Sequence, residues 1–148
     1  MKKIFFIIAV SMLGFVASSY ANNNNGAVPA GVTMQFTQQF VQATEVKWET
    51  GKEFYKATFE DWGRTLFAYY SGDGDLLGVS TNLTPAGLPA RLKEQIGKSY
   101  ANYWITDLFG YHNQDEHGFV ITLENSDRTV VLKAVGNGGW SVYKTTVK

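Results

Sequence analysis

Residues 53–82, EFYKATFEDWGRTLFAYYSGDGDLLGVSTN, are written a second time in this chain. Shifted by 64 positions, the stretch aligns without a gap on residues 117–146, HGFVITLENSDRTVVLKAVGNGGWSVYKTT. Seven of the thirty pairs are identical, among them Gly72/Gly136 and Gly74/Gly138, and similar apolar residues fill many of the places between. A repeat of this kind predicts two copies of one structural unit.

Each copy alternates apolar and polar residues with the period of two that is typical of half-buried strands. A helix at 33–43, capped by Thr33, precedes the first copy, and a helix that begins at Leu88-Pro89 precedes the second. The predicted strands are 44–50, 53–60, 64–71, 76–81, 103–110, 118–124, 128–135 and 140–147. We therefore predict an α+β fold of two tandem units, 32–83 and 84–148, each a helix plus a four-stranded antiparallel sheet.

The N-terminus, residues 1–21, has the pattern of an export signal. A basic start and an apolar run lead to the small–x–small site Ser19-Tyr20-Ala21. We expect cleavage after this site, a disordered segment at 22–31, and no stable membrane insertion after cleavage. The expected location is the periplasm, with secretion as the alternative.

The composition argues against a nucleic-acid partner and against disulfide bonds as a source of stability. Removing residues 1–21 leaves 127 of the 148 residues, with 11 basic and 13 acidic side chains and a net charge of −2. No basic cluster lines a helix or strand, so nucleic acid is not an expected partner. The chain has no cysteine, so the fold depends on its core, which 45% hydrophobic and 15% aromatic residues make feasible.

The residues that could carry chemistry do not form a catalytic or metal site in the sequence. Ser71-Gly72-Asp73-Gly74-Asp75 offers two carboxylates, but the second copy has none there, so a hairpin turn explains both. His112 and His117, with Asp115 and Glu116 between them, do not converge by spacing alone. A Cys nucleophile, a G-x-S-x-G motif and a phosphate-binding glycine loop are all missing. We expect no catalytic residues, no metal and no cofactor.

Aromatic residues on the sheet face away from the helix are the strongest candidates for function. If Tyr55, Ala57 and Phe59 face the helix, the alternate strand positions carry an aromatic, weakly charged surface that suits protein interfaces. In the second half the same reasoning exposes Val120 and Val131. The predicted partner contacts are Phe54, Trp62, Phe67, Tyr69, Trp140 and Tyr143.

Three other interpretations of these aromatic faces and of the chain remain open. The two sheets, or a homodimer, could bury the faces instead. A carrier of a small apolar or metal ligand is an alternative function that predicts an enclosed pocket. A hydrolase has no supporting motif.

Several of these patterns resemble a known family. Val46/Trp48, Phe54-Tyr55/Ala57/Phe59, Ala68-Tyr69-Tyr70/Gly74/Leu76-Leu77 and Leu88-Pro89 are similar to the β-lactamase-inhibitor-like, PepSY-like proteins of Gram-negative envelopes. The resemblance implies tandem helix-plus-four-strand units whose sheets form a concave, aromatic-lined binding surface. It also implies a module that binds, inhibits or regulates an envelope protein.

Overall fold

A computed structural model describes residues 27–148, which form two helices and eight strands. The helices are α1 (Ala30–Gln39) and α2 (Ala90–Ser99), and a single 3-10 turn lies at Pro85–Gly87. The strands are β1 (Thr44–Thr50), β2 (Tyr55–Asp61), β3 (Arg64–Tyr70), β4 (Leu76–Asn82), β5 (Trp104–His112), β6 (His117–Glu124), β7 (Arg128–Val135) and β8 (Ser141–Val147).

All eight strands belong to one antiparallel sheet, in the order β1 to β8. The predicted α+β fold of two helix-plus-four-strand units is confirmed, and the two four-stranded halves are joined edge to edge. The joint is the β4–β5 ladder, which begins at Val79↔His112 and ends at Asn82↔Phe109. Because of this joint, the halves do not bury their sheets against each other.

The helices start at prolines rather than at hydroxyl caps. Pro29 and Pro89 occupy the N-cap positions of α1 and α2, with φ of −54° and −53°. Thr33 lies inside α1, where its hydroxyl donates to the Ala30 carbonyl at 3.0 Å, so the predicted Thr33 cap is wrong. Among residues 27–148, neither helix is long and apolar enough to cross a membrane.

The first helix therefore begins earlier in the chain than predicted. Ala30 and Gly31 belong to the first turn of α1, although the sequence placed them in the disordered segment. The predicted signal at 1–21 and residues 22–26 lie outside the described residues.

Both helices pack on the same face of the sheet and form two separate cores. In the first core, the Phe36 ring of α1 lies edge-on to Phe59 and Trp48, with centroid distances of 5.0 and 5.3 Å. In the second core, Leu92 of α2 packs with Leu108 and other buried residues of β5 to β7. These are the positions that the period-two pattern assigns to the helix side.

The hairpin between β2 and β3 turns through Trp62 and Gly63, which both have left-handed φ values of 50° and 71°. Two such residues between paired Asp61 and Arg64 make the turn that suits the twist of a two-residue hairpin. The equivalent β6–β7 turn uses the Asn125 side chain instead, which accepts the N–H groups of Asp127 and Arg128. The left-handed conformation of Trp62 therefore has no counterpart at Ser126, the equivalent position of the second half.

Gly118 gives a test of how tightly β6 and β7 are packed. A Cβ at Gly118 would lie 2.0 Å from the Ala134 carbonyl oxygen, so the backbone would have to move. We expect Gly118→Ala to lower the free energy of unfolding by about 2 kcal/mol or more, measured by urea denaturation.

The matched control is Gly97→Ala within α2. Nothing lies within 4 Å of a Cβ at Gly97, so alanine should stabilise the protein by about 0.5–1 kcal/mol through helix propensity. Equal effects of the two substitutions would contradict the packing described for Gly118.

Candidate functional site

The sheet face opposite the two helices is the candidate site, and we call it the open face. Strand pairing defines it, because cross-strand partners share a face and alternate along each strand. Both helices lie on the other side, so no helix of residues 27–148 covers this face. It carries Lys47, Glu49, Lys56, Thr58, Phe67, Tyr69, Gly78, Ser80, Phe109, Tyr111, Gly118, Val120, Thr122, Val131 and Lys133.

Tyr69 lies on the open face as predicted, but only 2% of it is exposed. The Phe54 ring packs edge-on against it at 5.8 Å, and its cross-strand neighbours are Lys56 and Gly78. Burial raises the pKa of the Tyr69 phenol, and the nearby Ser80 hydroxyl opposes that rise. Tyr69 is thus buried beneath the surface of the open face. This corrects the expectation that it contacts a partner directly.

Phe54 and Phe67 are half-buried and remain accessible at this face. The Lys56 ammonium lies 5.1 Å from the centroid of the Phe67 ring and 3.0 Å from a Glu49 carboxylate oxygen. Phe67 is therefore flanked by a cation–π contact and an ion pair, and each of these is weak at a partly exposed position.

The second half has a different arrangement, built on Tyr111, Glu116 and Lys133. One carboxylate oxygen of Glu116 accepts hydrogen bonds from the Lys133 ammonium at 2.5 Å and the Tyr111 hydroxyl at 3.1 Å. The same ammonium lies 5.1 Å from the centroid of the Tyr111 ring. Three elements, β5, the β5–β6 turn and β7, are tied together here.

The electrostatics of this cluster hold its charges in place. The hydrogen bond from Lys133 is the main reason that the pKa of the Glu116 carboxyl is below its usual value. Partial burial alone would lower the pKa of Lys133, but its bonds to Glu116 and Tyr111 raise it overall. Burial raises the pKa of Tyr111. Glu116 and Lys133 are therefore both ionised at neutral pH.

A third lysine repeats the arrangement at one end of the sheet. Lys148 forms an ion pair with Glu124, and its ammonium lies 5.7 Å from the centroid of the exposed Trp104 ring. Trp104 pairs directly with Glu124 across β5 and β6. Three aromatic rings, Phe67, Tyr111 and Trp104, thus each have a lysine beside them whose charge is balanced by a carboxylate.

Trp62 and Tyr143 are exposed, as their prediction as contacts requires. Trp62 stands at the tip of the β2–β3 hairpin with 82% of its surface in solvent. Tyr143 lies on the edge strand β8, where the β7–β8 register shifts.

Trp140 does not lie on the open face, and that placement was wrong. It precedes β8, and its indole N–H donates to the Leu92 carbonyl of α2 at 3.0 Å. Its ring packs against the second core. Trp140 follows the glycine-rich turn and precedes β8, so the strand alternation does not apply to it. Its indole packs against α2 instead.

The expectation that Val120 and Val131 are exposed also fails. Leu76 lies on the helix side and packs against the first core. Val131 is on the open face but buried, with Thr122 and Lys144 as its cross-strand partners. Val120 is half-buried.

Sequence reasoning missed Phe109, Tyr111 and Lys133. A register irregularity between Ile105 and Asp107 interrupts the alternation of β5, so no face could be assigned to its aromatics. The pairing of Tyr111 with Gly118 and of Lys133 with Val120 becomes visible only in the sheet.

The loop residues that were considered as possible metal ligands form turns or a cross-strand pair. The Ser71 hydroxyl accepts the Asp75 N–H at 3.1 Å, and Gly74 adopts a φ of 93°, as a closed hairpin turn needs. His112 and His117 face each other as a cross-strand pair. Within residues 27–148, no three His, Cys, Asp or Glu residues are grouped so that they could hold a metal ion.

A half-open cavity of about 230 Å³ lies where β4 meets the β5–β6 turn. Its lining is Leu76, Gly78, His112, Asn113 and Gln114. Pockets that enclose small ligands are usually larger, about 300–1,000 Å³, and bury most of the ligand. The carrier alternative gains no specific observation from this cavity.

Comparisons with known proteins address the fold. No family model matches the sequence, and no curated protein matches it. A BLIP-like protein from Bacteroides fragilis NCTC 9343 superposes with a TM-score of 0.69 at 21% identity, covering 85% of this chain and 92% of that one. A DUF2874 family protein from Bacteroides ovatus ATCC 8483 gives 0.70 at 21% identity, with 80% and 86% covered.

A third similar structure is a candidate periplasmic protein from Bacteroides eggerthii DSM 20697. Its TM-score is 0.71 at 14% identity, with 82% of this chain and 90% of that chain covered. The β-lactamase-inhibitor-like half of the resemblance is thus confirmed at the level of fold, while its PepSY-like half stays a prediction. The chain has the fold of the BLIP-like and DUF2874 proteins of Bacteroides.

Proposed function

We propose that this chain is an exported, non-enzymatic module that binds a protein of the cell envelope through its open face. One observation carries the proposal: an eight-stranded sheet has both helices on one side and half-buried aromatic rings on the other. Phe54, Phe67, Phe109 and Tyr111 offer large contact area with few rotatable bonds. Inhibition or regulation of the partner is the role that the fold resemblance suggests.

The electrostatics of Glu116 and Lys133 do not suit acid–base catalysis by this pair. An acid–base catalyst needs a pKa that is moved towards neutrality, so that the group exchanges protons at the working pH. The pKa of Glu116 is lowered and that of Lys133 is raised, which moves both groups away from neutrality. The cluster behaves as a fixed ion pair that shapes a surface.

Location in the periplasm is supported by the signal-like N-terminus and by one similar structure. Residues 1–21 have the export pattern, and the Bacteroides eggerthii protein is described as a candidate periplasmic protein. Nothing in the composition of residues 22–148 requires a nucleic-acid partner.

The open-face proposal is tested by affinity capture from the organism's own envelope extract with tagged residues 22–148. Phe67→Ser removes a half-buried ring from the face and should reduce the retained partner at least about tenfold, as loss of a central aromatic contact does. Quantitative mass spectrometry of the eluates measures the retained partner, and melting curves of the wild type and of Phe67→Ser show whether both are folded.

Met34→Ser is the matched control. Met34 is an exposed apolar residue of α1, and α1 packs on the sheet face opposite the open face. It should leave capture unchanged. Equal retention by wild type, Phe67→Ser and Met34→Ser would refute binding through the open face.

Trp62 supplies a second test, because its left-handed backbone conformation lowers the stability of the folded protein. A left-handed φ costs most L-residues about 1–2 kcal/mol, and asparagine tolerates it better. Trp62→Asn should therefore raise the melting temperature by about 2–5 °C while it weakens capture of the partner. Calorimetry of the variant and the capture assay above measure the two effects.

Ser126→Asn at the equivalent turn of the second half is the control. Ser126 does not have a left-handed φ, so neither stability nor capture should rise or fall appreciably. A Trp62→Asn protein that is less stable than wild type would show that Trp62 serves the fold.

A further inference from the structure

We propose that a second copy of this chain pairs antiparallel with the outer edge of β8, so that two sheets become one. The proposal does not depend on the open face binding a protein. It rests on the difference between the two edge strands, on the direction of the β8 backbone groups, and on the charges along the strand.

The two edges of the sheet are protected to different degrees. In β1, Glu45 has a left-handed φ of 53°, the register shifts between Thr44 and Lys47, and Glu49 adds a further charge. Twisted, charged edges resist pairing with another chain. β1 is thus the guarded edge.

β8 has less of this protection than β1, and its pairing with β7 is regular from Lys144 to Val147. All seven residues of β8 are exposed, only Lys144 is charged, and no proline interrupts the strand. Val142 is 61% exposed although its cross-strand partner Leu132 belongs to the core. An edge rich in valine, tyrosine and threonine with so little charge favours strand addition.

The backbone of β8 presents free hydrogen-bonding groups at defined positions. The Lys148 N–H donates to the Asp127 carbonyl at 3.0 Å, so this residue points its backbone towards β7. Pairing is regular from Lys144↔Val131 to Val147↔Arg128, and backbone direction alternates along a strand. Thr145 and Val147 therefore point their N–H and C=O groups away from the sheet.

A twofold axis at Thr145 uses these groups and satisfies the charges. It places Thr145 opposite its own copy, where the two residues exchange N–H to C=O bonds. Lys144 then lies opposite Thr146, so its ammonium faces a neutral side chain. An axis at Lys144 would instead set two ammonium groups against each other.

The twofold axis stands perpendicular to the sheet, so both open faces lie on the same side of the dimer. The pair would present one longer binding surface and could engage a partner at two points. One strand edge buries less area than a standard interface, so we expect a weak, reversible dimer.

Sedimentation velocity of residues 22–148, from about 5 µM to about 1 mM, tests the proposal. Wild type should shift from monomer to dimer across this range. Thr145→Lys and Thr145→Glu should each stay monomeric, because each sets like charges opposite across the axis. An equimolar mixture of the two variants should form a heterodimer, because unlike charges then face each other.

Met34→Lys carries the same charge change on the exposed side of α1 and should dimerise like wild type. Melting curves of all variants show whether they fold. A wild type that is monomeric at all concentrations would overturn the proposal. A dimer that persists in both Thr145 variants, or a mixture that fails to associate, would also overturn it, whatever the capture assay shows for Phe67.

Discussion

The short ladder between β4 and β5 is the constraint on which the rest of the structure depends. It joins the two repeats through Val79↔His112 to Asn82↔Phe109, and the Leu83 N–H extends it to the Leu108 carbonyl at 2.9 Å. Because strands in one sheet share its faces, this ladder places both helices on one side. Two unjoined sheets could have closed on each other, and the aromatic rings would then have been core.

The repeat preserves the covered side and varies the open side. Phe59 and Leu123 occupy equivalent positions, and both are buried beneath a helix. Tyr69 and Lys133 also occupy equivalent positions, but one is an aromatic floor and the other is an ammonium bound to Glu116. The two halves of the open face therefore differ: the first has a buried tyrosine at this position and the second has a charged pair.

Local patterns in the sequence predict most of the elements but not how they meet. Every predicted strand is present within two or three residues, because alternation and turn glycines are local signals. The burial of Tyr69 was missed because it depends on Phe54 and on Gly78, which lie in other parts of the chain. Trp140 was misplaced because alternation was extended into the residue before β8.

If the open face binds a protein as proposed, it must stay soluble in the free chain and expose its rings on binding. A bare aromatic surface would favour aggregation, whereas a strongly charged one would resist desolvation. Lys56 beside Phe67 and Lys148 beside Trp104 meet both demands, because their ammonium groups lie near the rings and carboxylates balance their charge. Partly exposed ion pairs contribute only about 0–1 kcal/mol each, so a partner can displace these lysines at little cost and contact the rings beneath.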